Sequence, residues 1–295
     1  MERFPAPALP HVARLAAAAQ ADPARAVAFQ GAPGANSHLA ALQAHPGCAP
    51  LPCFDFADAI EAVQSGAAGR AIIPIENSLH GRVADIHFLL PESGLAITGE
   101  FFLPIRHALM GLGEAGQVRE AASHPQALGQ CRRWLRARGI EPVTYPDTAG
   151  AAAMVAERGD PALAALAPPG AAEIYGLTLF ETDIADAAHN MTRFLTLELQ
   201  QSAPEGPGPF MTTLIFAVPN APAALYKALG GFATAKVNMT KLESYQPGGS
   251  FSASEFYADF IGAPGDPDVD RALAELAFHA DWVRLLGSYP MARER

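Results

Sequence analysis

Lysine is almost missing from this 295-residue chain: Lys227, Lys236 and Lys241 are the only three, and the formal net charge is −10. Nucleic-acid binding rests on clustered Lys and Arg, so this balance argues against it. An anion bound earlier in the chain must instead rely on arginine, helix N-termini or neutral donors. Cysteine is equally sparse. Cys48, Cys53 and Cys131 cannot all pair and none sits in a C-x-x-C arrangement, so they read as reduced thiols, not as a disulfide frame or zinc site. Half the residues are apolar, yet no run approaches the roughly 20 needed to cross a bilayer. Prolines and a histidine precede the short N-terminal alanine run, a poor layout for a signal peptide. The expectation is a cytoplasmic protein of about two domains, with no nucleic-acid or membrane partner. Gly31-Ala-Pro-Gly34-Ala-Asn-Ser37 is neither G-x-G-x-x-G nor a P-loop, which excludes the usual nucleotide cradle.

What is present is a pair of polar knots at the ends of apolar segments. Ile72-Ile73-Pro74-Ile75 runs into Glu76-Asn77-Ser78, and Asn190-Met191-Thr192-Arg193-Phe194 runs into Leu195-Thr196-Leu197. An acceptor, an amide and a hydroxyl in succession can grip a hydroxyl-bearing ligand. Asn-Ser alone also suits a simple turn. Within a strand, Thr192 and Phe194 share one face and Arg193 takes the other, where it would pair with a surface acid or clamp a carboxylate. Polar residues also recur at helix starts: Ser37 after the glycine turn, Ser123-His124-Pro125-Gln126, and Asp147-Thr148, where either residue could cap. Together they suggest a cradle for a small anion at the mouth of an α/β sheet.

The front part alternates short apolar runs with helical patterns, predicting a largely parallel sheet covered on both faces. Strands fall at 27–30, 72–75 and 162–167. Asp55 caps a helix carrying Phe56, Ile60 and Val63, and Pro125 opens another bearing Leu128, Cys131 and Leu135, with Gly139 past its end. Gln201 to Pro209 is the clearest linker. Beyond it lie a strand at 212–218, a helix from Pro222 ending at Gly230-Gly231, strands at 237–244 and 252–261 joined across Pro247-Gly248-Gly249, a helix opening at Asp266-Pro267, and a strand at 282–289. That order, βαββαβ, is a split-βαβ ferredoxin-like plait.

These segments, in this order, closely resemble prephenate dehydratase followed by an ACT regulatory domain, from about Val27 to Tyr289. The resemblance rests on Phe29-Gln30-Gly31, Gly34-Ala-Asn-Ser37-His38, Pro74-Ile-Glu-Asn-Ser78, His124-Pro-Gln126, Asp147-Thr-Ala-Gly150, Ala188-His-Asn190 and Thr192-Arg-Phe194. It implies a two-lobed catalytic domain like a type II periplasmic binding protein over 25–200, with lobe 1 at about 25–101 and 190–200 and lobe 2 at about 102–189. An extension at 1–24 precedes it, and a linker at 201–210 leads to the ACT domain at 211–290. With only some two dozen residues before Val27, a helical chorismate mutase segment is not expected ahead of the catalytic domain.

The activity so implied converts prephenate to phenylpyruvate, water and carbon dioxide, on the way to phenylalanine, without metal or organic cofactor. Thr192, Glu76 and Asn77 are the implied catalytic residues, with Thr192 a donor to the leaving hydroxyl and Glu76 or a water the ultimate proton source. Ser78, Gln126, Ser123, Thr148, Arg193, Phe194, Gln30 and Ser37 are the implied substrate-binding set. Allosteric phenylalanine would be held by Ala223, Ala224, Leu225, Asn238, Glu243 and Ser244. There the family's Glu-Ser-Arg-Pro has become Glu243-Ser-Tyr245-Gln246, which removes a donor and loosens a turn. A homodimer or homotetramer is implied. Arogenate as substrate, or a non-catalytic binding protein on the same fold, are the alternatives.

Overall fold

Short runs of small and branched apolar residues set the strands of the front unit, and the polar residues between them cap its helices. The structure is a computed structural model describing residues 3–187, 189–200, 209–245 and 254–294. It divides into two compact units, Met1–Leu89 with Phe101–Leu195, and Leu90–Glu100 with Thr196–Arg295. The 201–208 part of the linker and the Pro247-Gly248-Gly249 connection lie outside the described residues. Among the described residues, no helix is long and apolar enough to cross a membrane.

In chain order the strands are β1 (Ala26–Gln30), β2 (Ala49–Cys53), β3 (Arg70–Asn77), β4 (Gly81–Arg82), β5 (Ala96–Pro104), β6 (Ala108–Gly111), β7 (Glu120–Ser123), β8 (Glu141–Thr144), β9 (Leu163–Ala167), β10 (Thr178–Glu181), β11 (Met191–Glu198), β12 (Phe210–Ala217), β13 (Met239–Tyr245), β14 (Glu255–Ile261) and β15 (Trp282–Pro290). The helices are α1 (Leu9–Ala21), α2 (Asn36–Ala44), α3 (Phe56–Gln64), α4 (Ala84–Glu92), α5 (Pro125–Gln130), α6 (Arg132–Arg138), α7 (Thr148–Arg158), α8 (Gly170–Tyr175), α9 (Ala224–Thr234) and α10 (Pro267–His279).

Two sheets form, one per lobe. The first runs β2-β1-β3-β11-β5, with β4 beside β3, and β1 is parallel to both β2 and β3. The second runs β10-β6-β9-β7-β8, with β7 parallel to β8 and β9. Here β6 and β10 depart from the parallel pattern expected, since β6 is antiparallel to β9 and β10 to β6. The chain reaches β6 from β5 of the first sheet in three residues, Ile105 to His107, so β6 enters the second sheet directly from the other lobe and not from a strand–helix–strand unit of its own sheet. The second core is alanine-rich: Ala149 and Ala151–Ala153 of α7 face the buried Leu-Ala-Ala-Leu-Ala of β9, so helix and sheet approach closely.

Three local expectations change. The 1–24 extension is built into the front unit, since Phe4, Ala8 and Val12 belong to the same buried cluster as α7 and β9. The helix expected from Pro125 to Arg138 breaks at Cys131 (φ −112°) into α5 and α6. Helix α9 runs through Gly230-Gly231 to Thr234; a Cβ on Gly231 would lie 2.8 Å from Glu275 Cβ and 3.0 Å from the Ala272 carbonyl oxygen of α10. That pair therefore permits close helix packing and does not end the helix.

In the rear unit the antiparallel sheet order is β13-β14-β12-β15, the ferredoxin-like arrangement that βαββαβ requires, and its topology is that of an ACT domain. Helices α9 and α10 cover one face through Leu214, Phe216, Phe256, Phe260, Phe232 and Leu276.

Candidate active site

The front unit holds a cavity of about 510 Å³ lined from both lobes. Its position follows from the topology. Gln30 and Asn77 are the last residues of β1 and β3, and α2, α5 and α7 follow β1, β7 and β8, so strand ends and helix starts converge there. Thr192 and Phe194 line it from β11, and Ile105 and His107 from the β5–β6 connection. Those two crossings are tied together by the Ile105 N–H donating to the Asn190 carbonyl at 2.9 Å.

Asn77 organises the floor. Its Oδ1 accepts the backbone N–H groups of Leu79 (3.0 Å) and His80 (3.2 Å), which can only donate. Its Nδ2 must then face the other way, donating to Asn190 Oδ1 at 2.7 Å and Thr192 Oγ1 at 3.0 Å. Asn190 Nδ2 in turn donates to Gln130 Oε1 at 2.8 Å, and Gln130 Nε2 to His80 Nδ1 at 3.0 Å. Thr192 is thus an acceptor within the protein, and its own proton is available to the cavity.

An anion in this cavity would have to be held without a cation. Among the described residues no Lys or Arg lines it, whereas the carboxyl groups of Asp55 and Asp147 do. Three of its helix starts are capped by side chains: Asp55 on Asp58 N at 2.8 Å, His124 on Gln126 N at 3.2 Å, and Asp147 on Gly150 N at 2.7 Å. Helix α2, which begins after Ala35, has no side-chain cap, so its first N–H groups can receive a carboxylate. Burial lowers the pKa of His124 and His107, keeping both neutral, and raises that of Asp147 despite bonds from the Gly150, Ala32 and Ala149 N–H groups.

Of the expected site residues, the cavity brings together Gln30, Ser37, Asn77, Gln126, Thr148, Thr192 and Phe194. Four others sit elsewhere. Arg193, 1% exposed, points to the opposite face of β11 and pairs with Glu76 at 3.0 Å, so neither the expected carboxylate clamp nor the proton source faces the cavity. Ser78 joins β3 to β11, donating its N–H to the Met191 carbonyl (2.8 Å) and accepting from Met191 N (3.0 Å). Ser123 is fully buried and donates to the Leu166 carbonyl at 2.6 Å. Thr148 is the first residue of α7, the cap being Asp147, which leaves its hydroxyl for the cavity.

Gln130 and His107 were missed. Gln130 is one turn past Gln126, a polar residue beside the buried Leu128 and Cys131, and that spacing was the available signal. A lone histidine after Ile105 carried none.

In the rear unit, Ala223 has φ +62° before α9, and Ala224 and Leu225 form its first turn. The Asn238 carbonyl accepts from Ile261 N at 2.9 Å. Glu243 pairs with Lys241 at 3.6 Å. Glu243 and Ser244 are adjacent on β13 and so face opposite sides of the sheet. Gln246 and Ala188 lie outside the described residues.

The family model for prephenate dehydratase matches residues 27–202. The chain belongs to the prephenate dehydratase family. A bifunctional N-acyl-homoserine lactone acylase/prephenate dehydratase of Komagataeibacter europaeus is 49% identical over 269 residues, covering 90% of this chain and 96% of the relative. Arogenate dehydratase/prephenate dehydratase 1 of Arabidopsis thaliana is 37% identical over 281 residues, covering 90% and 72%. Among solved structures, the prephenate dehydratase of Arthrobacter aurescens in complex with L-Phe superposes with a TM-score of 0.82 at 31% identity, covering 90% of each chain. The family's two-lobed, periplasmic-binding-protein-like architecture is therefore the fold of this chain too.

Proposed function

We propose that this protein is a prephenate dehydratase, converting prephenate to phenylpyruvate in the cavity of its front unit, with the rear unit a regulatory domain for phenylalanine. The carrying observation is the orientation of Thr192, whose Oγ1 accepts from Asn77 Nδ2 at 3.0 Å and so leaves its proton to be donated to a ligand.

Prephenate carries two carboxylates and one ring hydroxyl. The bond from the ring to its carboxylate breaks, the carboxylate leaves as carbon dioxide, and the electron pair of that bond enters the ring. The carbon–oxygen bond at the hydroxyl breaks, and hydroxide leaves and takes up one proton from solvent to become water. The ring becomes aromatic, so the driving force lies in the substrate. The protein must hold the dianion, align the two bonds and stabilise charge growing on the departing oxygen. The uncapped start of α2 supplies N–H donors for a carboxylate, and Gln30, Ser37, Gln126 and Thr148 offer neutral hydrogen bonds around it. Thr192 is far too weak an acid to transfer its proton outright at neutral pH, and acts as a hydrogen-bond donor to the departing oxygen.

The test is direct. Purified protein is mixed with prephenate and phenylpyruvate formation followed, with and without phenylalanine; no turnover by a folded sample would reject the assignment. Inhibition by phenylalanine is supported by the ACT topology of the rear unit and by the L-Phe complex of the Arthrobacter relative. Arogenate, with an amine in place of the keto group, is the paired substrate to assay. A second activity, hydrolysis of N-acyl-homoserine lactones, is favoured by the 49% identical relative and is tested on the same preparation by following lactone release.

A further inference from the structure

Tyr175 ends α8 in the second lobe, yet its phenol reaches into the first. The Tyr175 hydroxyl donates to the Pro33 carbonyl at 2.7 Å, across 142 positions of sequence, and the residue is 7% exposed. Burial, with Asp147 adding to it, raises the pKa of the phenol, so it stays protonated as a donor. Pro33 lies in the turn that joins β1 to α2. The next residue is seated on the same helix as Tyr175: Gly34 has φ +93°, and a Cβ there would lie 3.2 Å from Ala171 Cα and from Ile174 Cδ1. Within the turn the Gly34 N–H donates to His38 Nδ1 and the Ala35 N–H to the Ala32 carbonyl, each at 3.0 Å. The first N–H groups left for a ligand are therefore those of Asn36, Ser37 and His38 at the start of α2. Gly31, Ala35, Asn36 and Ser37 all line the cavity.

We propose that Tyr175 is a positioning residue for the substrate: by holding the Pro33 carbonyl from the opposite lobe, it fixes the β1–α2 turn so that the N–H groups at the start of α2 point at a carboxylate of the substrate. This rests on the prephenate reading. Tyr175 is not among the residues lining the cavity, so it acts through the turn and not by contact. With no Lys or Arg among the described lining residues, carboxylate affinity depends on how well these N–H groups are aimed, and a hydrogen bond weakens steeply with misalignment. Donor and acceptor come from different lobes, so the bond exists only while the lobes meet around the cavity, and closure is what aligns the turn.

Tyr175→Phe deletes one hydroxyl and keeps the ring. The expected result is a roughly 10-fold rise in KM for prephenate with kcat within threefold of wild type, because the carboxylate is held alike in the ground and transition states. A purely structural bond would lower the melting temperature without moving KM. Glu173→Ala, at an exposed position of the same helix, should change neither constant. A folded Tyr175→Phe protein with KM within twofold of wild type, or a loss confined to kcat, overturns the proposal.

Amide hydrogen exchange gives a readout independent of turnover. Without ligand, Tyr175→Phe should speed exchange at Gly34 and Ala35 by roughly fivefold or more, since their hydrogen bonds belong to the turn that is loosened, while strand β14 of the rear unit keeps its rates. Unchanged rates at Gly34 and Ala35 refute the anchoring role. With prephenate added to the Thr192→Val protein, which binds without efficient turnover, Ser37 and His38 should gain protection, and no gain refutes the aim of these donors at the carboxylate. Failure of wild-type protein to turn prephenate over would instead overturn the functional reading, while exchange at Gly34 and Ala35 would still decide whether Tyr175 fixes the turn.

Discussion

Thr192→Val is the substitution that most directly tests the mechanism. It replaces a hydroxyl by a methyl group at a site that is 8% exposed, with almost no change in volume. Inside the protein the loss is one acceptor for Asn77 Nδ2, which keeps Asn190 Oδ1 at 2.7 Å and the Met191 carbonyl at 3.3 Å. The stability cost should therefore be about 1 kcal/mol, lowering Tm by only a few degrees. In the transition state the loss is a hydrogen bond to an oxygen acquiring negative charge. Removing such a donor from a preorganised site costs roughly 3–5 kcal/mol, which at about 1.4 kcal/mol per decade is a 10²- to 10⁴-fold fall in kcat. KM should change little, because the ring hydroxyl is neutral in the ground state. Initial rates of phenylpyruvate formation over a prephenate range give both constants, and thermal melting controls for folding. Thr192→Ser should recover most of the activity. A folded Thr192→Val protein with kcat within threefold of wild type would refute the reasoning, as would a loss confined to KM.

Glu76→Ala removes an ion-pair partner of the buried Arg193 and should cost about 3 kcal/mol of stability, read by urea denaturation, while the surviving folded fraction keeps its KM. A tenfold rise in KM would return Glu76 or Arg193 to the binding set. Gly287→Ala should destabilise the rear unit by roughly 1–3 kcal/mol, because an added Cβ would overlap the Ile97 carbonyl oxygen; an unchanged melting curve would count against that close approach. His38 is held neutral to about pH 4 by burial, with Arg14 adding to the effect, and its Nδ1 accepts the Gly34 N–H at 3.0 Å. A histidine whose folded pKa is lowered resists protonation that the unfolded chain accepts, so stability should fall as pH drops from about 6.5 to 4, by a few kcal/mol from this site. Denaturation at pH 7 and pH 4.5 checks it, and His38→Gln should flatten the difference.

How much of the site could be read in advance depended on local pattern. Strand alternation put Thr192 and Phe194 on one face and Arg193 on the other, and that placement holds in β11. Which face meets the cavity is a tertiary matter. The buried side captured Arg193 with Glu76, residues 117 positions apart, and no local signal pairs them. Gln130 and His107 became visible only when the β5–β6 connection and α5 met across the lobes. Conversely, Ser123 has the chemistry of a site residue but is spent on the Leu166 carbonyl of the neighbouring strand.

By itself the sequence determined the helix starts at Asp55 and Asp266, the βαββαβ tail and the family, because caps, turns and periodicity act over a few residues. Only the tertiary structure decided that the front half forms two sheets, that β6 and β10 run antiparallel, that Phe4, Ala8 and Val12 pack into the core, and that α9 continues through its glycines. Each of these depends on what packs against a segment from far along the chain. The same holds for the orientation of Thr192: four amide and imidazole side chains from three separate stretches agree on one direction of donation, and that direction is a property of the assembled network.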